Sequence, residues 1–166
     1  MSLQEKKTET TARQDLSSVT PPPIFSPANG LTTHALIFKV YDGDSMRACF
    51  YDPDRVEGRD LITLAVRLAG VDTPEIRSPA GSAEKHLSVE AKSFVQQAVE
   101  GKVAVVSFGK TDKYGRTLAS IKIPGEGDLA QALLREKLAY PYNGRGKNSD
   151  WGKLLDERRA LLDTSE

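Results

Sequence analysis

The chain has 166 residues, of which 39% are hydrophobic and 28% are charged, and these values are typical of one soluble globular domain. No apolar run reaches the roughly 18 residues that a membrane span requires, so we expect no membrane association. Lys plus Arg and Asp plus Glu both total 23, so the chain lacks the basic excess that would indicate a nucleic-acid partner from charge alone. Evidence for any such partner must come from local motifs.

The cysteine and histidine content excludes stabilisation by an internal disulfide or by a zinc site, both of which are common in small domains. Cys49 is the single cysteine, and His34 and His86 do not make a zinc site of recognised spacing. The first 30 residues contain no apolar segment behind a basic start. Since no secretory signal is visible, the cytoplasm is the favoured compartment. The sequence indicates no obligate protein partner.

The N-terminal segment differs in composition from the rest of the chain. Residues 1–33 are rich in Pro, Ser and Thr and have few large apolar side chains to offset the entropy cost of ordering. We therefore predict a disordered tail over residues 1–33 and a folded domain over residues 34–166.

Three strands are predicted at the start of this domain. Segments 35–41 and 45–51 are apolar and flank an Asp-Gly pair, which favours a tight hairpin. Residues 61–68 alternate in a period of two, as in a strand with one apolar face. The polar segment 52–60 is predicted to be a loop.

The strongest helix signal in the sequence lies between Ser88 and Gly101. Ser88 is predicted as its N-cap and Gly101 as its stop. Beyond it, residues 103–108 and 118–123 are predicted strands that flank the turn-like TDKYGR. One helical face, with i, i+3, i+4, i+7 and i+8 spacing, comprises Ala91, Phe94, Val95, Ala98 and Val99.

Two shorter helices are predicted near the C-terminus, from Asp128 to about Lys137 and from Asp150 onward, the second anchored by Trp151. The order is three strands, helix, two strands, helix, helix, which separates the helices from an antiparallel sheet. Five short strands of this kind suit a small closed or nearly closed barrel.

Acidic residues follow two of the predicted strands. Asp44 lies in the first hairpin, and Asp72 and Glu75 come just after the third strand. Paired strands can bring these carboxylates together, and such oxygen ligands suit a hard cation such as Ca²⁺ or Mg²⁺. Each motif alone also fits a structural turn, because Asp and Gly form turns and TPE can begin a helix.

Two arginines stand beside these acidic turns. Arg67 ends the third strand, and Arg116 closes the DKYGR hairpin. Guanidinium groups bind phosphate with two parallel hydrogen bonds and stabilise charge that develops on it. Either arginine alone would equally fit a surface salt bridge, but both beside an acidic cluster indicate phosphoryl chemistry.

Five motifs occur in a characteristic order: YDGDS at 41–45, RLAGVDTPE at 67–75, EAKSF at 90–94, TDKYGR at 111–116 and KLAY at 137–140. In this order they resemble the staphylococcal nuclease, or thermonuclease-like, family over residues 35–162. The resemblance implies an α+β fold, a five-stranded OB-fold-like β-barrel with about three helices. It also implies a Ca²⁺-dependent endonuclease that hydrolyses single-stranded or locally opened DNA and RNA with little sequence specificity and leaves 3′-phosphates.

The resemblance also implies a role for each matching residue. The arginines would hold the scissile phosphate and the glutamate would act on the attacking water. The implied catalytic residues are Arg67, Glu75 and Arg116, and the implied Ca²⁺ ligands are Asp44, Asp72 and the backbone carbonyl of Thr73.

Four further residues are implied to contact the substrate. Lys113 and Tyr114 would contact a neighbouring phosphate. Tyr140 and Tyr142 lie where the family places a tyrosine that stacks on a base, a contact worth roughly 1–3 kcal/mol per base. Which tyrosine stacks is left open, because either side chain can instead pack against the last helix.

Several positions depart from the family pattern. Ser45 replaces the usual Thr, and Lys137 stands where the family commonly has Gly, which costs stability if the backbone there is left-handed. The loop before Arg67 looks longer than in compact members. The alternative interpretation is a binding module that keeps the barrel and holds nucleic acid or protein without cutting it.

Overall fold

The computed structural model describes residues 28–54 and 60–165. Within these ranges the strands and helices follow the predicted order, with three additional two-residue strands. The elements are β1 (Thr32–Asp42), β2 (Ser45–Tyr51), β3 (Leu61–Leu68), β4 (Val71–Asp72), α1 (Ala83–Val99), β5 (Lys102–Thr111), β6 (Thr117–Ile123), β7 (Gly127–Asp128), α2 (Leu129–Arg135), β8 (Tyr140–Pro141) and α3 (Trp151–Asp163).

Five strands close into a barrel in the order β3, β2, β1, β5, β6, and β7 extends the sheet beyond β6. Consecutive neighbours in this order are antiparallel. The closing pair, β3 with β6, is parallel, and Val66 lies opposite Thr117. The α+β class and the five-stranded OB-fold-like barrel with three helices are therefore confirmed, whereas a wholly antiparallel sheet is not. Closure through a parallel pair joins strands from two separate hairpins and has no local sequence signal.

The barrel interior and the inner face of α1 form one apolar core. Inward-facing strand residues such as Ile37, Val66 and Ile121 are fully buried, as are Leu87 and Val95 on α1. Each such side chain contributes roughly 1.5–3 kcal/mol of transfer free energy, which makes this core the main source of stability. No helix in the described part of the chain has the length and apolar character needed to cross a membrane.

The N-cap of helix α1 lies six residues before the predicted one. Ser82 is the N-cap, and its hydroxyl accepts a hydrogen bond from the Lys85 amide at 3.1 Å. Ser88 lies inside the helix, almost fully buried, and its hydroxyl donates to the Lys85 carbonyl at 2.8 Å. The Ser88 prediction was wrong because serine can also satisfy its hydroxyl within a helix. At the other end, Gly101 follows the helix with φ 75°, as expected for a helix stop.

The ordered fold also begins before residue 34. Ala28 is fully buried, and β1 starts at Thr32, which pairs with Ser107 of β5. The Gly30 amide donates to the Phe108 carbonyl at 2.9 Å, which continues this pairing toward the N-terminus. Residues 28–33 therefore belong to the barrel, because backbone pairing does not require apolar side chains. The rest of the predicted tail, residues 1–27, and positions 55–59 of the predicted loop lie outside the described residues.

Lys137, just after α2, has a left-handed backbone with φ 56°, the conformation in which replacing the family's usual Gly costs stability. Its ammonium lies 3.1 Å from Glu157, but both side chains are about 40% exposed, so this ion pair contributes little. We expect Lys137→Gly to be about 1 kcal/mol more stable than Lys137→Ala, because both lack the ion pair and Gly alone lacks a Cβ. Urea unfolding of the two variants measures this difference, and equal stabilities would contradict it.

Candidate active site

The turn between β1 and β2 packs directly against the chain that follows β4. Asp44 is only 6% exposed, and its carboxylate accepts a hydrogen bond from the Thr73 amide at 3.1 Å. The backbone carbonyl of Asp44 accepts another hydrogen bond from the Leu68 amide at 2.8 Å. These two bonds place the predicted ligands Asp44, Asp72 and Thr73 at one end of the barrel.

Gly43 permits this close approach. A Cβ at position 43 would lie 2.8 Å from Cγ2 and 2.9 Å from Cβ of Thr73, and both residues are buried. We expect Gly43→Ala to destabilise the fold by about 1–3 kcal/mol, because the two turns must separate. Urea unfolding measures the loss. Gly109→Ala is the matched control, since its new Cβ would meet its nearest atom at an ordinary 3.5 Å; equal effects of the two substitutions would contradict this explanation.

Arg67 joins the two acidic side chains. Its guanidinium lies 2.7 Å from Asp44 and 3.2 Å from Asp72, and a further bond reaches the Leu68 carbonyl at 3.2 Å. Arg67 is 7% exposed and Asp72 is 3% exposed. Buried charges of this kind require partners, and here each carboxylate contacts the same cation. Arg67 is therefore held rigidly at the end of β3.

Asp42 is an additional acidic group that the sequence indicated only as a turn former. It accepts a hydrogen bond from the Asp44 amide at 3.4 Å and lies 3.5 Å from the Thr73 hydroxyl. Burial, together with the neighbouring Asp44 and Glu75 carboxylates, raises the pKa of Asp42 to about 6. Asp42 thus adds a further carboxyl group beside Asp44 and Thr73 at this end of the barrel.

The β5–β6 hairpin supplies the second arginine. The Asp112 carboxylate accepts bonds from the amides of Tyr114 at 2.9 Å and Arg116 at 3.0 Å, and from the Arg116 guanidinium at 2.9 Å. Burial would raise the pKa of Asp112, but these hydrogen bonds outweigh it and lower the pKa. The other side of the guanidinium donates to the Ser45 hydroxyl at 3.1 Å, and Ser45 donates to Asp44 at 3.1 Å. This chain of contacts links Arg116 to the acidic turn.

An open cleft of about 690 Å³ lies over these groups. Glu75 is exposed on its wall, and its amide donates to Glu84 at 3.1 Å. Tyr114 is largely exposed, and the Lys113 ammonium lies 5.1 Å from its ring centroid. The predicted site residues that line the cleft are Arg67, Glu75, Lys113, Tyr114, Arg116 and Tyr142.

The two candidate stacking tyrosines have different surroundings. Tyr142 lines the cleft, with the Arg67 guanidinium 6.0 Å from its ring centroid. Tyr140 is not among the described residues that line it. Its ring lies 5.2 Å from that of Trp151, and its hydroxyl donates to the Asp150 carbonyl at 2.5 Å. Tyr140 thus packs against the last helix, and the geometry favours Tyr142 as the tyrosine available to a ligand.

Lys147 is a cleft residue that the sequence analysis did not identify. Its ammonium lies 2.8 Å from the Asp72 carboxylate and 5.9 Å from the Tyr142 ring centroid. The hydrogen bond to Asp72 raises the pKa of Lys147, which is therefore cationic at neutral pH. The residue lies in the polar segment NGRGKNSD, and no local pattern there distinguishes it from other surface lysines.

The donor set at this end of the barrel fits a hard cation. Two buried carboxylates supply oxygens beside the chain at Thr73, and they already share one cation, the Arg67 guanidinium. Within residues 28–54 and 60–165, no three His, Cys, Asp or Glu side chains gather into a metal cluster. A hard cation does not require three such side chains, because carbonyls, water and substrate phosphates can complete its coordination.

Comparison with known proteins agrees with the motif pattern. The family model for "Staphylococcal nuclease homologue" matches residues 65–159, more than half of the chain. Proteins named "Probable endonuclease LCL3" are similar to it: that of Candida dubliniensis is 32% identical over 108 residues, covering 60% of this chain and 46% of the relative.

The same name is carried by a protein of Clavispora lusitaniae, 32% identical over 114 residues, covering 64% of this chain and 48% of the relative. A third, from Nakaseomyces delphensis, is 38% identical over 97 residues, covering 57% of this chain and 37% of the relative. In each case the match spans less than half of the relative's length. Taken together with the barrel and the family-model match, these similarities show that the chain belongs to the staphylococcal nuclease family.

Proposed function

We propose that this chain is a Ca²⁺-dependent endonuclease that hydrolyses phosphodiester bonds in DNA and RNA with little sequence specificity and leaves 3′-phosphates. The observation that carries the proposal is the cleft that Arg67, Arg116 and Glu75 line together, with Arg67 also in contact with the Asp44 and Asp72 carboxylates. The names of the similar proteins, which describe endonucleases, support the same reaction class.

The two arginines would bind the scissile phosphate from different elements, Arg67 from β3 and Arg116 from the β5–β6 turn. Arg67 is held by Asp44 and Asp72, and Arg116 by Asp112, so neither side chain needs to be ordered when substrate arrives. Guanidinium donors that are already oriented stabilise the negative charge that grows on the phosphoryl oxygens during displacement. This preorganisation is the chain's main contribution to transition-state stabilisation.

Glu75 is the residue proposed to act on water. Its side chain is exposed on the cleft wall, where water can reach it. The water oxygen forms a bond to phosphorus as its proton passes to Glu75, and the bond from phosphorus to the 5′ oxygen breaks. The 5′ oxygen takes a proton from solvent and leaves as a hydroxyl, so the phosphate stays on the 3′ side. Asp44, Asp72 and the Thr73 carbonyl would hold Ca²⁺, which when bound supplies neutralising charge and orients the phosphate.

The substrate is proposed to be single-stranded or locally opened nucleic acid. Lys113 and Tyr114 line the same cleft as Arg116 and could contact a neighbouring phosphate. Tyr142 offers a ring on which a base can stack, and stacking requires a base that is free of its duplex partner. Contacts of these kinds carry almost no sequence information, which supports low sequence specificity.

Cleavage of single-stranded DNA in Ca²⁺ and in EDTA tests the proposal. We expect cleavage in Ca²⁺, fragments that end in 3′-phosphates, and no cleavage in EDTA. Cleavage that persists in EDTA would contradict the metal assignment. No cleavage under either condition would contradict the nuclease assignment and favour a module that only binds.

A further inference from the structure

We propose that Lys147 competes with the divalent cation for the Asp72 carboxylate. Its ammonium contacts this carboxylate when no cation is bound, and it must move away when the cation binds. The inference rests on the proposed function, since it concerns the same carboxylates. It assigns a role to a residue that neither the motifs nor the similarity to the family identifies.

The contact itself is the first support. Nζ of Lys147 lies 2.8 Å from Oδ1 of Asp72, the same oxygen that Arg67 contacts at 3.2 Å. The Lys147 side chain is 53% exposed, whereas the Asp72 side chain is 4% exposed. A solvated lysine therefore reaches inward to a buried carboxylate, and charge attraction is strong there because water screens it poorly.

The charge balance of the site is the second support. Asp44 and Asp72 together carry two negative charges, and Arg67 and Lys147 carry two positive charges in contact with them. A divalent cation at these carboxylates would add two further positive charges beside both. Lys147 repels that cation and would share Asp72 with it as a ligand. The contact of Lys147 with Asp72 therefore opposes binding of the divalent cation.

Arg67 and Lys147 differ in how readily each can move away from Asp72. Arg67 is almost fully buried on β3 and also donates to the Leu68 carbonyl, so its position is fixed by the barrel. Lys147 lies in the stretch between β8 and α3, which has neither helix nor strand and contains Gly144 and Gly146 with positive φ. Its flexible stem can move the ammonium into the open cleft, where it remains available to a phosphate. Lys147, rather than Arg67, is therefore the group that moves away from Asp72 when the divalent cation binds.

Calorimetric titration of Ca²⁺ into the protein without nucleic acid tests this inference. We expect Lys147→Gln to bind Ca²⁺ on the order of fivefold more tightly than the unsubstituted protein, because Asp72 is no longer occupied. Lys147→Arg keeps the charge and should bind with nearly unchanged affinity. Lys153→Gln is the matched control: it removes the same charge from an exposed lysine at the start of α3, outside the cleft.

Each outcome decides the question. Tighter binding by Lys147→Gln alone, including binding that appears only in that variant, supports the competitor role. Equal affinities for Lys147→Gln and Lys153→Gln, or weaker binding by Lys147→Gln, would overturn it while leaving the nuclease proposal intact. If no variant binds Ca²⁺, the inference fails, and the cleavage assay in Ca²⁺ and EDTA decides separately whether the nuclease proposal fails with it.

Discussion

Replacing Glu75 with Gln is expected to lower kcat/KM for single-stranded DNA by about 10²–10⁴-fold, the usual contribution of a positioned general base. The glutamine side chain is nearly isosteric with that of glutamate but cannot take a proton from water. The free energy of unfolding should change by less than about 0.5 kcal/mol, because the side chain is exposed and the bond to Glu84 uses the backbone amide. Steady-state kinetics and urea unfolding measure the two quantities.

Glu126→Gln is the matched control for this prediction. Glu126 is an exposed glutamate in the turn after β6, outside the cleft that Glu75 lines. The Glu126→Gln substitution makes the same change in net charge as Glu75→Gln and should leave cleavage unaffected. If Glu75→Gln cleaves as fast as Glu126→Gln, Glu75 does not act on the attacking water.

Replacing Arg67 with Met is expected to abolish cleavage and also to destabilise the fold by about 3 kcal/mol. The sequence alone suggests a purely catalytic loss, but the structure shows that removing this guanidinium leaves Asp44 and Asp72 buried without their shared cation. Ca²⁺ should restore part of the lost stability, because a bound cation compensates the same carboxylates. Urea unfolding in Ca²⁺ and in EDTA measures both effects.

Arg116→Met provides the comparison for Arg67→Met. The Arg116 and Asp112 side chains are 31% and 18% exposed, so water partly compensates the loss of their ion pair. The expected destabilisation is about 1 kcal/mol or less, with no greater stabilisation by Ca²⁺ than in the unsubstituted protein, while cleavage is again lost. Equal instability of the two variants, or no extra stabilisation of Arg67→Met by Ca²⁺, would contradict the shared-cation explanation.

Local sequence patterns account for much of the fold. The period-two alternation of residues 61–68 predicted β3 correctly. The Asp-Gly pair predicted the first hairpin correctly, but the turn residues are Gly43 and Asp44, one position later than predicted. The helical face that includes Ala91 and Val95 is the buried face of α1. These predictions succeeded because strand alternation, turn conformation and helix amphipathicity depend on residues a few positions apart.

The candidate site was predicted only in part. The motifs identified Arg67, Glu75 and Arg116, and all three line one cleft. The sequence could not separate Tyr142 from Tyr140, because two tyrosines two residues apart have the same local pattern. Pairing of β4 with β8 decides between them, since it turns one ring toward Trp151 and leaves the other beside Arg67.

The sequence by itself thus determined the order of the elements, the turns that carry Asp44 and Arg116, and the family that these motifs define. Only the tertiary structure decided that β3 closes on β6 in parallel, that Arg67 is shared by two buried carboxylates, and that Lys147 reaches Asp72. The physical reason is distance along the chain. Lys147 and Asp72 meet because strands far apart in sequence pair, and no local propensity records that pairing.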